Sequence, residues 1–171
     1  MIELTSVSQP AAYVPVLAAL HREAFAVPWS EKAFASAIAA PGTAVIMATQ
    51  DQAENAVGFI LFRQVLDEAE ILTLMVRPEL HRQGCGKSLL EAAVTCLQTS
   101  GVRRLFLDVD ITNHAAKSLY QYAQFNIIGR RRGYFKTPSG GRSDALVMQR
   151  LIIASDPEHR PLKTVDGSHM M

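Results

Sequence analysis

The stretch Leu-Met-Val-Arg-Pro-Glu-Leu-His-Arg-Gln-Gly-Cys-Gly-Lys-Ser-Leu-Leu, from Leu74 to Leu90, constrains the fold more than any other part of the chain. The apolar run Ile71 to Val76 reads as a strand and is stopped by Pro78, which has no amide to donate. Arg82-Gln83-Gly84-Cys85-Gly86-Lys87 follows, and then Leu89, Leu90, Ala93, Val94 and Leu97 recur at the spacing of one helix face. Strand, glycine turn and helix start in that order make an anion cradle. The first amides of a helix have no carbonyl partner within it, and its dipole places partial positive charge there. The group expected in the cradle is a phosphate, held by the amides of Gln83, Gly84, Cys85, Gly86 and Lys87. The glycines let the backbone approach closely, and Arg82 and Lys87 add charge.

Spacing separates the candidate readings of this turn. Gly86-Lys87-Ser88 imitates the end of a P-loop, with Leu105-Phe106-Leu107-Asp108 as its acidic strand. A P-loop needs a further glycine five residues before Gly86, and His81 stands there. A dinucleotide fingerprint needs a glycine three residues after Gly86, and Leu89 stands there. A strand-helix turn that binds nothing is the remaining plain alternative.

The surrounding sequence favours a ligand. Arg82-Gln83-Gly84-Cys85-Gly86, preceded by Val76-x-Pro78, resembles the acetyl-coenzyme-A signature of the GNAT acetyltransferase superfamily. Pro28-Trp29-Ser30-Glu31-Lys32-x-Phe34, Leu66-Asp67-Glu68-Ala69, Asn113-x-x-Ala116 with Leu119-Tyr120, and Asp144-Ala145-x-x-Met148 are similar to the RimI type, the branch that acetylates the N-terminal amine of ribosomal proteins. The resemblance spans about residues 3 to 150. It implies an α/β (α+β) GNAT fold: a mixed, mainly antiparallel sheet flanked by helices, with a bulge that splays the strand ending at Leu74-Met75-Val76 from the strand Leu105 to Val109. The pantetheine arm of acetyl-CoA would run into that gap along the backbone of Leu74, Met75 and Val76, with Asn113 on the other side. Asn113 is equally suited to be a plain helix N-cap.

Composition bounds the rest. A chain of 171 residues with 49% hydrophobic content suits one domain, read as residues 1 to 153, with a polar, disordered tail from 154 to 171. A net charge of +1 gives no broad attraction to nucleic acid or membrane. Cys85 and Cys96 lack metal-ligand spacing, so no metal is expected. Two cysteines and no recognisable leader read as a cytoplasmic protein with reduced thiols.

In chain order, Ile2 to Val7 reads as a strand, and Val16, Leu17, Leu20 and Ala24 mark a helix with Pro15 in its first turn. Ser30 is a good N-cap, with Trp29 and Phe34 placed as a hydrophobic staple. Ala44 to Thr49, Val57 to Val65 and Glu70 to Val76 read as an antiparallel meander, and the cradle helix, Gly86 to Ser100, ends at Gly101. Leu105 to Val109 has the apolar character of a strand buried on both faces, parallel to the one before the helix. A helix through Tyr120 follows, then strands Phe125 to Gly129 and Ala145 to Leu151 around a turn at Thr137 to Gly141.

Moving an acetyl group from a thioester to an amine requires a held cofactor, a neutral amine, a polarised carbonyl and a proton for the leaving thiolate. A thiol near pKa ~8.5 and a phenol near ~10 are closely matched. Tyr120 stands where the superfamily places its general acid; Tyr122 points elsewhere on that helix. The RimI type carries a glutamate as base where this chain has Asp108, one methylene shorter, which favours a relay through water; Asp110 and Glu70 are reserves. Making an α-amine of pKa ~8 neutral at pH 7 costs about 1.4 kcal/mol, against about 4.6 kcal/mol for a lysine. The expectation is therefore direct attack by a protein N-terminal amine, with a ribosomal protein as acceptor by resemblance. A small-amine or antibiotic acetyltransferase and a non-catalytic coenzyme-A-binding regulator are the alternatives. Two further features bear on the site. Gln124 occupies a place where the family carries glycine, and Arg130-Arg131-Arg132 reads either as a groove rim or as a solvated strand end.

Overall fold

The computed structural model describes residues 1–51, 55–153 and 163–165. Strands run over Ile2–Val7 (β1), Thr43–Gln50 (β2), Ala56–Val65 (β3), Glu68–Val76 (β4), Arg104–Asp110 (β5), Asn126–Lys136 (β6), Arg142–Leu151 (β7) and Lys163–Val165 (β8). Helices run over Val14–Ala24 (α1), Glu31–Ala39 (α2), Cys85–Thr99 (α3) and His114–Tyr122 (α4). The described strands form one sheet in the order β6-β7-β5-β4-β3-β2-β1-β8. β1 to β4 form the antiparallel meander, β4 and β5 are parallel across α3, and β7 pairs antiparallel with β5 and β6. β8 lies parallel to β1, so three residues of the tail expected to be unstructured extend the sheet; 154–162 and 166–171 fall outside the described residues.

Local signals account for the helix boundaries. Ser30 Oγ accepts the Ala33 amide at 3.1 Å, and the Trp29 and Phe34 rings meet at 5.1 Å, the staple the sequence predicts. Gly101, at φ +82°, follows the end of α3 in the left-handed conformation that glycine adopts without strain. α1 buries Val14, Leu17, Ala18, Leu20 and His21, whereas Ala24, expected on that face, is exposed.

Two apolar clusters sandwich the sheet. One packs Leu89, Leu90, Ala93, Val94 and Leu97 of α3, with Tyr120 and Ala123, against Ile71, Val76, Leu105, Leu107 and Val109. The other packs α1 and α2, through Leu17, Ala18 and Phe34, against Phe59, Leu61 and Met75. β5 therefore differs from the expectation of burial on both faces. Leu105, Leu107 and Val109 are buried under α3, while Phe106, Asp108 and Asp110 lie half-buried on the other face. Among the described residues no helix is long and apolar enough to cross a membrane.

The sheet opens at its centre. In the β3-β4 ladder, Leu61 pairs with Thr73 but Phe62 with Ile71, so Leu72 is an extra residue, a bulge that bends β4. β4 and β5 pair only from Glu68↔Arg104 to Ile71↔Leu107. Beyond Leu72 the two strands diverge, as the resemblance implies.

Candidate active site

The cradle forms where the sequence places it. α3 starts at Cys85 with Gly84, at φ +84°, as N-cap; no side chain caps the helix, and the first amide bonded back along it is that of Ser88, to Gly84 O at 3.0 Å. The amides of Cys85, Gly86 and Lys87 are thus the open donors of a helix N-terminus. Arg82 also has positive φ, +61°, and is exposed with Gln83 and Gly84. A Cβ added to Gly86 would lie 3.5 Å from Leu119 and 3.8 Å from Val76, so β4 and α4 both close on this turn. Lys87 Nζ sits 5.0 Å from the Tyr122 ring, and Gln83 Nε2 donates to Glu79 O. Cys85 is buried, which pushes its thiol up and argues against a thiolate nucleophile.

The end of β4 presents a free edge to the gap. The Arg77 amide donates to Val57 O at 2.8 Å, so residue 77 points toward β3 and the backbone groups of Leu74 and Val76 point the other way. Val76 O meets His81 Nε2 at 2.8 Å. Asn113 Oδ1 accepts the Ala116 amide at 3.1 Å and so fills the N-cap role, leaving its amide nitrogen for other contacts.

Tyr120 and Asp108 lie on opposite faces of the sheet, with the gap between them. Tyr120 is 8% exposed and packs edge-to-face on Phe125 at 5.7 Å. Burial pushes its phenol above the ordinary range, which widens the mismatch with a thiol. Such a phenol holds its proton until a strong base forms beside it.

Asp108 borders a cavity of about 260 Å³ shared with Glu70, Phe106, Arg63, Arg131 and Val147. Its side chain is 11% exposed, and Arg131 Nε donates to Oδ1 at 3.2 Å. Glu70 is more open and pairs with Arg63 at 3.7 Å. Asp110 is committed to structure. Burial pushes its carboxyl up, but hydrogen bonds from Ser143 Oγ (2.6 Å), the Thr112 amide (2.9 Å) and Thr112 Oγ1 (2.8 Å) more than offset that and hold it below the usual carboxylate range.

The arginine run lies inside β6, which continues past the expected end at Gly129 to Lys136, so it is not a strand end. Arg130 Nε donates to Asp144 at 2.7 Å, Asp144 also accepts the Gly133 amide at 2.8 Å, and Arg131 reaches Asp108. Arg131 stacks over Tyr134 at 5.4 Å. Burial, then the Asp108 charge, push the Tyr134 phenol up, against Arg131. Tyr134 is the residue missed by sequence reading, since only its position near three arginines marks it. On the same face of the sheet, His21 lies between α1, the loop before α2 and β4. Its Nδ1 accepts the Trp29 amide at 3.0 Å, which leaves Nε2 to donate to Thr73 Oγ1 at 3.1 Å.

A mixed sheet split between two parallel strands, with an uncapped glycine turn on one face and a carboxylate on the other, is the arrangement the acetyltransferase resemblance implies. The acetyltransferase (GNAT) family model matches residues 14–125. The chain is 37% identical over 145 residues to the [ribosomal protein bS18]-alanine N-acetyltransferase of Escherichia coli K12, covering 85% of this chain and 92% of that protein. It is 32% identical to the enzyme of the same name from Haemophilus ducreyi, covering 75% and 87%. The crystal structure of the ribosomal-protein-S18-alanine N-acetyltransferase from Escherichia coli superposes with a TM-score of 0.81 at 33% identity, covering 94% of this chain and 99% of that one. Arabidopsis thaliana NAA60 in complex with acetyl-CoA shares the fold, with a TM-score of 0.76 at 19% identity over 89% and 99% of the two chains. The chain belongs to the GNAT family and is an N-acetyltransferase of the RimI type.

Proposed function

We propose that the protein transfers the acetyl group of acetyl-CoA to the N-terminal α-amine of a protein, with a ribosomal protein beginning with alanine as acceptor, by direct attack in a ternary complex. One observation carries the reading: β4 and β5 part beyond Ile71↔Leu107, with the open amides at the start of α3 on one face of the split sheet and Asp108 on the other. The acceptor preference rests on the relatives named above. Two free cysteines suit a cytoplasmic setting.

Bound in this way, acetyl-CoA supplies the activated acyl carbon. The amides of Cys85 to Lys87 hold its diphosphate, with Arg82 and Lys87 adding charge. The free edge of Leu74 to Val76 aligns the pantetheine as an added strand, and Val76 O exchanges its His81 contact for it. Asn113 contacts the arm from the α4 side. Asp108 draws the proton from the amine, and Tyr120 returns one to the leaving sulfur. Placing acid and base on opposite faces keeps them from neutralising one another.

Thiol release should be followed with acetyl-CoA and peptides beginning Ala, Ser or Met, alongside free polyamines. Release with the Ala peptide alone is expected. Release with the amines alone would replace the reading with a small-molecule acetyltransferase, and release with none would leave a coenzyme-A-binding regulator.

A further inference from the structure

The proposed base is poorly placed to meet an amine by itself. The Asp108 side chain is 11% exposed and gives Oδ1 to Arg131, whereas Tyr134, on the same guanidinium, is 47% exposed. The phenol is the front group and the carboxylate stands behind it.

This arrangement is built by the strand and not by chance rotamers. Between β6 and β7, Arg131 pairs with Ala145 and Phe135 with Ser143, so Arg132, Gly133 and Tyr134 oppose Asp144 alone. Asp144 stabilises this wide bulge through the Gly133 amide and the Arg130 side chain. Gly133 has φ +57°, a conformation that suits glycine. Bulges beside functional sites re-aim side chains, and this one sets the Tyr134 ring against the Arg131 guanidinium that also holds Asp108.

We propose that Tyr134 is a catalytic residue that relays the acceptor's proton to Asp108, making up the reach that an aspartate lacks. As the N–H bond of the acceptor ammonium breaks, its proton passes to the Tyr134 oxygen while the Tyr134 hydroxyl proton passes to the carboxylate. The products are a neutral amine, an unchanged tyrosine and a protonated Asp108. A tyrosinate beside the Asp108 carboxylate would set two negative charges against one guanidinium, so the two transfers are concerted. The proposal rests on Asp108 being the base.

The test compares kcat and KM for an Ala peptide in Tyr134→Phe, Asp108→Asn, Asp108→Glu and the Tyr134→Phe/Asp108→Glu double variant, each checked for folding by acetyl-CoA titration. Tyr134→Phe should lower kcat about 100-fold with acetyl-CoA binding intact. In the double variant the longer carboxylate reaches the amine directly and should restore at least about 10-fold of the loss. A rise in KM with kcat unchanged, or no rescue by glutamate, overturns the relay and leaves Tyr134 as a peptide contact. If Asp108→Asn abolishes turnover while Tyr134→Phe keeps the wild-type kcat, the relay fails and the base assignment stands. If Asp108→Asn keeps the wild-type rate, the base assignment fails and takes the relay with it.

Discussion

The two mouths of the central gap are made from different materials. On the α3 side the cradle is main chain: three open amides, two backbone kinks at Arg82 and Gly84, and the edge of β4, which has no strand partner in β5 beyond Ile71. On the other side the pocket is side chain: Asp108 and Arg131 with Tyr134 beside them, aimed by a bulge whose support is another side chain, Asp144. A main-chain site tolerates sequence change as long as the turn survives, which suits a ligand that never varies. A side-chain site can be retuned residue by residue, which is what acceptor choice requires.

Acid sensitivity falls on the face that carries the side-chain half, through His21 in the core beneath α1. Burial lowers its pKa to about 4, against about 6.5 when exposed. Above pH 6.5 the ring is neutral in both states and costs nothing. As pH falls from about 6.5 to about 4 the unfolded chain gains a proton that the fold excludes, so stability declines by up to about 3 kcal/mol. Urea unfolding at pH 7.5 and 5 should show this loss, and His21→Gln should flatten it. An equal slope in the variant would acquit His21.

The main-chain half is instead sensitive to added bulk. A Cβ at Gly58 would lie 2.7 Å from Met75 O and 3.3 Å from Val76 Cα, so Gly58→Ala must move the edge that faces the gap. A cost of about 2 kcal/mol in stability is expected. Acetyl-CoA affinity should weaken with it; unaltered affinity would separate that edge from the cofactor. The smallest effect lies at Gln124, which holds φ +69° after α4. Gln124→Gly should raise the unfolding midpoint, stabilising by about 1 kcal/mol without altering turnover.

The same contrast governs what was legible in the sequence. The strands, the Ser30 cap and the cradle were readable because short-range spacing sets them. Gln124 was readable too, as a non-glycine in a glycine's place. The half-open face of β5 was not, because an apolar run does not say whether a helix covers each side, and Phe106, Asp108 and Asp110 are only half-buried. Tyr134 was hidden for a related reason: the bulge that re-aims it depends on Asp144, ten residues further on in the chain. Tail residues 163–165 pair with β1 despite a composition without period, since an open edge supplies the partners that composition cannot reveal.

The division of labour between the two mouths is tested most directly by calorimetric titration of acetyl-CoA into the Asp108→Asn variant beside the unaltered protein. The account predicts the same one-to-one heat from both. A titration without heat from the unaltered protein, or binding lost along with the carboxylate, would contradict it.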